Sequence, residues 1–181
     1  GRPIQKYNEV SFQLSEIPSI VAATPQIQGQ VMATSSRNAL GAVVRGVVWS
    51  DLAARKPLWD SLSQQAIAGF RDGGGVLIGE TMAFQLGVKP GDQVSLLSAK
   101  GRTTAFGSVP TLRTYKIAGL FKVGMHEYDS SFVFMPLSAA QSFFNLPDAV
   151  TGIELYSNSP LHIERVSAAV KARLGQSYRL F

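Results

Sequence analysis

The hydrophobic pattern along the chain switches repeatedly between the spacing of a helix and that of a strand. Apolar residues recur at helical spacing over 8–17, and Pro18 ends this segment, so a short helix is expected there. Two segments rich in Val and Ile follow, at 19–33 and 39–49. The polar residues between them predict a turn that joins two strands.

The rest of the chain alternates in the same way. Helices are predicted at 51–70, at 79–86 with Gly87 after it, from a cap at Ser138 to 144, and between Pro160 and Gly175. Strands are predicted at 76–78, 94–97, 112–121, 132–135, 150–156 and 178–181. This alternation indicates an α+β fold, in which the C-terminal strand–helix–strand unit can pair with the opening helix and strand.

The segment 98–111 fits neither a helix nor a strand. It contains Gly101, Gly107 and Pro110, and it is longer than the roughly twelve residues beyond which loops in compact domains are usually functional or disordered. Phe106 near its middle is either an exposed anchor for a partner or a side chain folded back into the core. The residues alone favour neither interpretation.

Composition narrows the class of protein. The 181 residues are 45% hydrophobic and 16% charged, which suits a globular chain that buries a core unaided. The absence of Cys excludes disulfides, thiolate metal sites and a Cys nucleophile. A net charge of +5 favours acidic partners, but the basic residues are scattered and do not alternate with aromatic residues, so nucleic-acid binding is not expected.

The sequence offers weak candidates for catalysis or metal binding. The glycine-rich segment 73–80 lacks the Lys-Ser/Thr pair of a nucleotide loop and precedes its strand. His126 and His162 are the two histidines, too few for a zinc site, and no Gly-x-Ser-x-Gly elbow occurs. Glu127, Tyr128 and Asp129 are expected to form a hydrogen-bonded turn. We therefore expect no catalytic residue, metal or cofactor. An independent enzyme is kept as a separate hypothesis, because His126, Glu127, Tyr128 and Asp129 cluster in the sequence.

Neither end of the sequence has the form of a natural terminus. The first residue is Gly instead of Met, and the last predicted strand, 178–181, stops in mid-course. No run reaches the roughly 18 consecutive apolar residues of a membrane-spanning helix. The expectation is that the native chain continues on both sides.

Several motifs together resemble a known family. The segments GVLIGE at 75–80, LGV at 86–88 and GDQV at 91–94 are similar to the extracytoplasmic domains of MacB/FtsX-type ABC permeases. The segments TTAFGSVP at 103–110, GMHEYD at 124–129 and FVFMPL at 132–137 resemble the LolC/LolE-type permease subunits of lipoprotein-releasing systems. The similarity extends over about 27–146.

The resemblance implies a periplasmic domain of a bacterial inner-membrane protein, lying between the first and second transmembrane helices. It implies a porter-like α/β lobe made of 1–48 and 148–181, and an inserted β-rich lobe of 49–147 with a long hook hairpin at 98–112. Both cut ends would then adjoin membrane segments.

The resemblance also implies the function. A separate cytoplasmic ATPase and a second permease subunit would complete a transporter that extracts lipoprotein cargo from the inner membrane and passes it to a soluble, LolA-like periplasmic carrier. A polar pad containing Arg113 would bind the carrier, and an exposed Phe106 is favoured. The carrier-binding hook would comprise Thr103, Thr104, Ala105, Phe106, Gly107, Ser108, Val109 and Pro110.

Two departures from the family pattern leave the subtype open. Ala105-Phe106-Gly107 stands where Pro-Met-Gly is common, and Leu112 stands where Gln is common. The subunit could therefore be LolC-like, LolE-like or a hybrid of both. The alternative function is that of a coupling domain in another MacB/FtsX-type export or signalling permease, with a different periplasmic partner.

Overall fold

The computed structural model describes residues 3–104, 107–158 and 163–174, and it confirms the predicted α+β class. The helices are α1 (Tyr7–Ser15), α2 (Trp49–Ala54), α3 (Lys56–Trp59), α4 (Gln64–Arg71), α5 (Glu80–Leu86), α6 (His126–Ser131), α7 (Leu137–Phe144) and α8 (Ile163–Leu174). The strands are β1 (Ile4–Gln5), β2 (Ile20–Thr34), β3 (Ala39–Val47), β4 (Val76–Gly79), β5 (Gln93–Thr104), β6 (Gly107–Phe121), β7 (Phe132–Pro136), β8 (Ala149–Val150) and β9 (Gly152–Ser157).

The chain forms two compact units. The terminal unit combines Gly1–Gln26 with Asp148–Phe181, and the inserted unit is Ile27–Pro147. The sequence placed the first lobe boundary after residue 48, whereas the contacts place it after Gln26. The difference arises because β3 pairs with β7 and thereby joins the inserted unit.

The strands of the inserted unit pair in a closed ring. The order of neighbours is β2, β3, β7, β4, β6 and β5, and β5 pairs with β2 again over Met32–Thr34. The β4–β6 and β3–β7 pairs are parallel, whereas β4–β7 and β5–β6 are antiparallel. Closure gives each of these six strands two hydrogen-bonded neighbours, the arrangement of a small barrel.

An aromatic core holds α4 against this barrel. A Cβ on Gly119 of β6 would lie 2.1 Å from Cβ of Ala66 in α4, so only Gly allows this close approach. Phe121 and Phe134 meet edge to face at 5.3 Å between ring centroids. The buried members of the cluster are Val47, Leu52, Leu58, Ala66, Phe70, Leu77, Phe121, Phe132 and Phe134.

Two predicted helices have different starts in the structure. The single helix expected over 51–70 is three short helices. Pro57 is accepted in the first turn of α3 but cannot continue a preceding helix, and Ser63 caps α4 by accepting a hydrogen bond from Ala66 N. The helix expected to begin after a Ser138 cap has Pro136 as its N-cap residue, without a side-chain cap. By contrast, α5 ends as predicted at Gly87, with φ of 67°.

The loop between β6 and β7 is built around one carboxylate. Asp129 is buried, and its two oxygens accept hydrogen bonds from Val123 N at 2.8 Å and Gly124 N at 3.0 Å. The segment expected as a turn is the short helix α6. A Cβ on Gly79 would lie 2.0 Å from the Asp129 carbonyl oxygen, so β4 packs directly against the α6 backbone.

The terminal unit has its own small core. Val10 and Leu14 of α1 pack with Ile20 of β2 and Val170 of α8. In this unit β1 pairs with β8, and the first part of β2 pairs with β9, both antiparallel. The cap expected at 158–159, Pro160, His162, Gly175 and the strand expected at 178–181 lie at or beyond the edges of the described residues.

Replacing Asp129 with Ala should destabilise the chain by about 2–3 kcal/mol, because two backbone N–H groups lose a charged acceptor in a buried place. Urea unfolding monitored by circular dichroism measures this. The matched control is Glu127→Ala, an exposed carboxylate two residues away, which we expect to change stability by less than about 0.5 kcal/mol. Equal losses in the two variants would contradict the role given to Asp129.

Candidate partner-binding surface on the β5–β6 hairpin

The segment expected to be a long loop is a continuation of two strands. Antiparallel pairing of β5 with β6 runs from Gln93↔Lys116 to Ser98↔Thr111, and resumes from Arg102↔Val109 to Thr104↔Gly107. Backbone hydrogen bonds therefore order a hairpin far beyond the segments 94–97 and 112–121 expected from sequence. A ladder of this length presents its outer end as a preorganised element.

The hairpin changes register at Pro110. Residues 99–101 of β5 lie opposite Pro110 alone, because pairing shifts between Ser98 and Arg102. Proline has no N–H to donate to the ladder, so a bulge on the opposite strand is the expected response. The bulge therefore divides the hairpin into an inner half, which belongs to the barrel wall, and an outer half beyond Pro110.

The structure places most of the predicted hook in this outer half. Thr103, Thr104, Gly107 and Ser108 occupy paired positions in the ladder. Val109 exposes 54% of its surface, and Pro110 is also exposed. Two hook residues, Ala105 and Phe106, lie outside the described residues.

Arg113 lies at the base of the hairpin against the end of α7. Its Nη1 donates a hydrogen bond to Ser142 Oγ at 2.7 Å. A guanidinium beside the last turn of a helix interacts favourably with the negative end of the helix dipole. Two residues along β6, Tyr115 meets Phe143 of α7 edge to face at 6.1 Å between centroids, which packs the helix onto the strand.

A groove of about 300 Å³ lies between β6 and the end of α7. Arg113 and Thr111 form one wall, and Ser142 and Asn145 contribute to the other. Asn145 ends α7 in the left-handed conformation, with φ of 54°. Arg113 was expected from the family resemblance, whereas Ser142 and Asn145 of the opposite wall were not predicted. Asn directly after an apolar helix is a known C-terminal signal that indicates the helix end.

The pKa of Tyr115 depends on its burial and on the nearby charge of Arg113. Burial raises the pKa of the Tyr115 phenol above its ordinary value, while the positive charge of Arg113 acts in the opposite direction. Burial dominates, so the folded state favours the neutral phenol. Its contribution to stability is present below the ordinary pKa of about 10 and is lost as the pH rises past it.

Comparison with known proteins gives the family. Residues 2–173 match the profile of the MacB-like periplasmic core domain. The chain belongs to this family. The resemblance inferred from the central motifs is thereby confirmed, as is the periplasmic location.

Curated relatives of this MacB-like domain are named as proteins of lipoprotein-releasing systems. It is 26% identical over 98% of its length to "Lipoprotein-releasing system transmembrane protein LolC" of Xylella fastidiosa, and covers 43% of that protein. It is 25% identical over 83% of its length to LolC of Neisseria meningitidis, covering 37% of it. It is 23% identical over 87% of its length to LolE of Haemophilus influenzae, covering 38%. The chain thus spans less than half the length of these relatives.

Solved structures share the fold. The extracellular domain of the noncanonic ABC-type transporter YknZ from Gram-positive bacteria matches with a TM-score of 0.59 and 14% identity, covering 94% of this chain and 83% of that one. The periplasmic region of MacB from Actinobacillus actinomycetemcomitans matches with a TM-score of 0.56 and 14% identity, covering 93% and 75%. At this identity the likeness concerns the fold alone.

Two of the four residues considered for catalysis in this MacB-like domain, Tyr128 and Asp129, make contacts that stabilise the fold. Both carboxylate oxygens of Asp129 are used by backbone N–H groups, and Tyr128 stacks on Phe132 at 4.3 Å with nearly parallel rings. His126 and Glu127 are exposed. Within the described ranges, no group of three or more His, Asp or Glu side chains is placed to hold a metal ion. The relatives described above are named as transmembrane proteins of lipoprotein-releasing systems and as a transporter domain.

None of the helices in the described part of the MacB-like domain combines the length and the apolar character needed to cross a membrane.

Replacing Arg113 with Gln should raise the pKa of Tyr115 further, because a positive charge that favours the phenolate is removed. Tyrosinate absorbance, titrated in the variant and in the parent chain, measures the shift. Subtracting the titration of Tyr115→Phe versions of both isolates this phenol from the other tyrosines. The exposed Lys89→Gln, which loses the same charge elsewhere, is expected to leave the difference curve unchanged; an unchanged curve for Arg113→Gln would refute the proximity of the two side chains.

Proposed function

We propose that this chain is the periplasmic domain of a permease subunit that releases lipoproteins from the inner membrane and hands them to a soluble, LolA-like carrier. The observation that carries the proposal is the long β5–β6 hairpin with Arg113 at its base, in a chain whose relatives are named as lipoprotein-releasing proteins. In the full transporter its partners would be a cytoplasmic ATPase subunit, a second permease subunit and the lipoprotein cargo.

The hook supplies affinity in this proposal. The described ladder ends at the pair Thr104↔Gly107, and Phe106 is the aromatic residue of the segment that we assign to the hook. Aromatic side chains, Phe included, are enriched in the buried centres of protein interfaces. Because the hairpin is already paired in the free chain, less conformational entropy is lost on binding the carrier.

The pad supplies orientation and charge. Arg113 is held by Ser142 and lines the groove at the end of α7. The segment from Gln93 to His126 contains Lys100, Arg102, Arg113, Lys116 and Lys122 but no Asp or Glu. Such a local excess of positive charge raises the association rate with an acidic surface and orients the encounter.

No covalent step is assigned to the domain. It would bind the carrier during transfer, while ATP hydrolysis by the separate subunit supplies the free energy for extraction. Binding must then be reversible, because a carrier held too tightly cannot leave with its cargo.

The alternative, a coupling domain of another export or signalling permease, shares the fold seen in YknZ and MacB. The two functions differ in what the hairpin binds. A hairpin that is extended and ladder-paired beyond the barrel favours a hook over a short buried connection. Binding to a purified LolA-like carrier separates the two directly.

Replacing Phe106 with Ala should weaken binding of the carrier by about 2 kcal/mol or more, because the aromatic anchor assigned to the hook is removed. Isothermal titration calorimetry of the 181-residue chain with purified LolA-like carrier measures this. The matched control is Phe84→Ala on α5, since Phe84 is 87% exposed and lies outside the hairpin. Equal affinities of the parent chain and Phe106→Ala would remove Phe106 from the hook role, and no binding by the parent chain would favour the alternative.

Replacing Arg113 with Gln should slow association with the carrier several-fold at low salt and reduce the dependence of the rate on ionic strength, because a positive charge beside the hook is lost. Stopped-flow or surface-based kinetics at a series of salt concentrations measures both quantities. Lys89→Gln is the control, with the same change in net charge at an exposed site outside the hairpin. If both variants slow association equally, the effect belongs to net charge and Arg113 is not a pad residue.

A further inference from the structure

Helix α1 of the terminal unit has one face in the core and one face exposed to solvent. Val10 and Leu14 pack with Ile20 and Val170. On the other side of the helix, Phe12 exposes 67% of its surface. Single exposed apolar side chains are common on protein surfaces, so the surroundings of Phe12 decide whether its exposure indicates a contact.

Phe12 lies in a groove of about 690 Å³ beside α8. Asn8, Phe12 and Glu16 follow one another at a spacing of four residues, so their side chains lie in a line along the exposed face of α1. The groove, which we call the α1 groove, is lined by Asn8, Glu9, Phe12, Gln13, Glu16 and Arg173. An aromatic side chain among polar ones resembles the hydrophobic centre and polar rim of a protein interface.

The charges of the α1 groove balance each other. Glu16 forms an ion pair with Arg173 of α8, and Glu9 lies 3.9 Å from Lys6. The whole chain, by contrast, carries a net charge of +5, so two copies repel each other in most orientations. A surface with locally balanced charges is therefore a place where two copies can approach, whereas it gives little steering to a strongly charged partner.

We propose that the α1 groove is a contact surface for a second copy of this chain, with the two α1 helices antiparallel about a two-fold axis at Phe12. A two-fold contact requires a surface that is its own complement, because residue i of one copy meets residue j of the other and j meets i. An axis at Phe12 brings the two phenyl rings together. It also places Asn8 of each copy opposite Glu16 of the other, since both are four residues from Phe12.

The antiparallel arrangement pairs groups that complement each other. The Asn8 amide can donate a hydrogen bond to the Glu16 carboxylate, which accepts from Arg173 of its own chain and has further acceptor sites. Because Arg173 already holds Glu16, little side-chain entropy is lost when the second copy approaches. A parallel arrangement would instead place Glu16 against Glu16, and two carboxylates close together disfavour each other's charge.

The size of the α1 groove predicts a weak contact. Helix α1 has nine residues, which corresponds to a length of about 13 Å. Two helices of this length bury less than the roughly 1,200 Å² at which standard-size protein interfaces begin. The contact is therefore populated at high concentration, or where two copies are held in one assembly at an effective concentration in the millimolar range.

Single Cys variants test the contact, because the chain itself contains no Cys. We expect Phe12→Cys to form disulfide-linked dimers under mild oxidation about tenfold faster than two controls, since a residue on a two-fold axis meets its own copy. The controls are the exposed apolar residues Val21→Cys in the terminal unit and Phe84→Cys in the inserted unit. A mixture of Asn8→Cys with Glu16→Cys, which keeps Phe12, should give more mixed dimer than random pairing predicts.

Sedimentation equilibrium at about millimolar concentration checks the contact without an added Cys. Self-association of the parent chain that Phe12→Gln weakens and Phe84→Gln leaves unchanged supports the proposal. Equal cross-linking of Phe12→Cys and both controls overturns it, as does equal sedimentation of the parent chain and Phe12→Gln. A random share of mixed dimer overturns the antiparallel arrangement and with it the two-fold axis at Phe12.

Thermal unfolding of each variant shows whether the terminal unit is still folded. None of these measurements uses a carrier protein, so their outcome is independent of the proposed function.

Discussion

The antiparallel ladder between β5 and β6 is the interaction on which the barrel and its binding surface both depend. Its inner part joins β4 to β2 and so completes the ring of six strands. Its outer part continues past the register shift at Pro110 as the hairpin. The same backbone hydrogen bonds therefore stabilise the fold and order the surface proposed to bind a partner, and neither can be weakened without affecting the other.

The parts of the fold that depend only on residues close together in the sequence could be predicted from it. The helix near the N-terminus, the left-handed Gly87 after α5 and the buried strand β4 all follow from local spacing and turn chemistry. The outer half of the hairpin could not be predicted this way. Residues 98–104 are small or polar and lack a hydrophobic alternation, so they form a strand because β6 lies alongside them and offers hydrogen bonds.

The candidate site likewise has a part that could be predicted from the sequence and a part that could not. The hook and Arg113 were named only because the motifs resemble a family; composition and periodicity left Phe106 undecided. The surroundings of Arg113 depend on tertiary packing, since its hydrogen-bond partner Ser142 lies 29 residues later in the chain and Asn145 of the same groove lies further still. The pairing of strands also could not be predicted, because residues such as Met32 and Leu97 are far apart in sequence and become neighbours only through the register of β2 and β5.

The growth of the hairpin out of the barrel wall has a mechanical consequence. Both strands of its inner half, 93–98 and 111–116, are members of the closed ring, so this half cannot move away from the barrel without breaking hydrogen bonds of the ring. The cost of such a movement is comparable to local unfolding of the core strands. The inner half of the hairpin therefore moves with the barrel, and the interruption of pairing at 99–101 opposite Pro110 is the place where the ladder can bend while the ring stays closed.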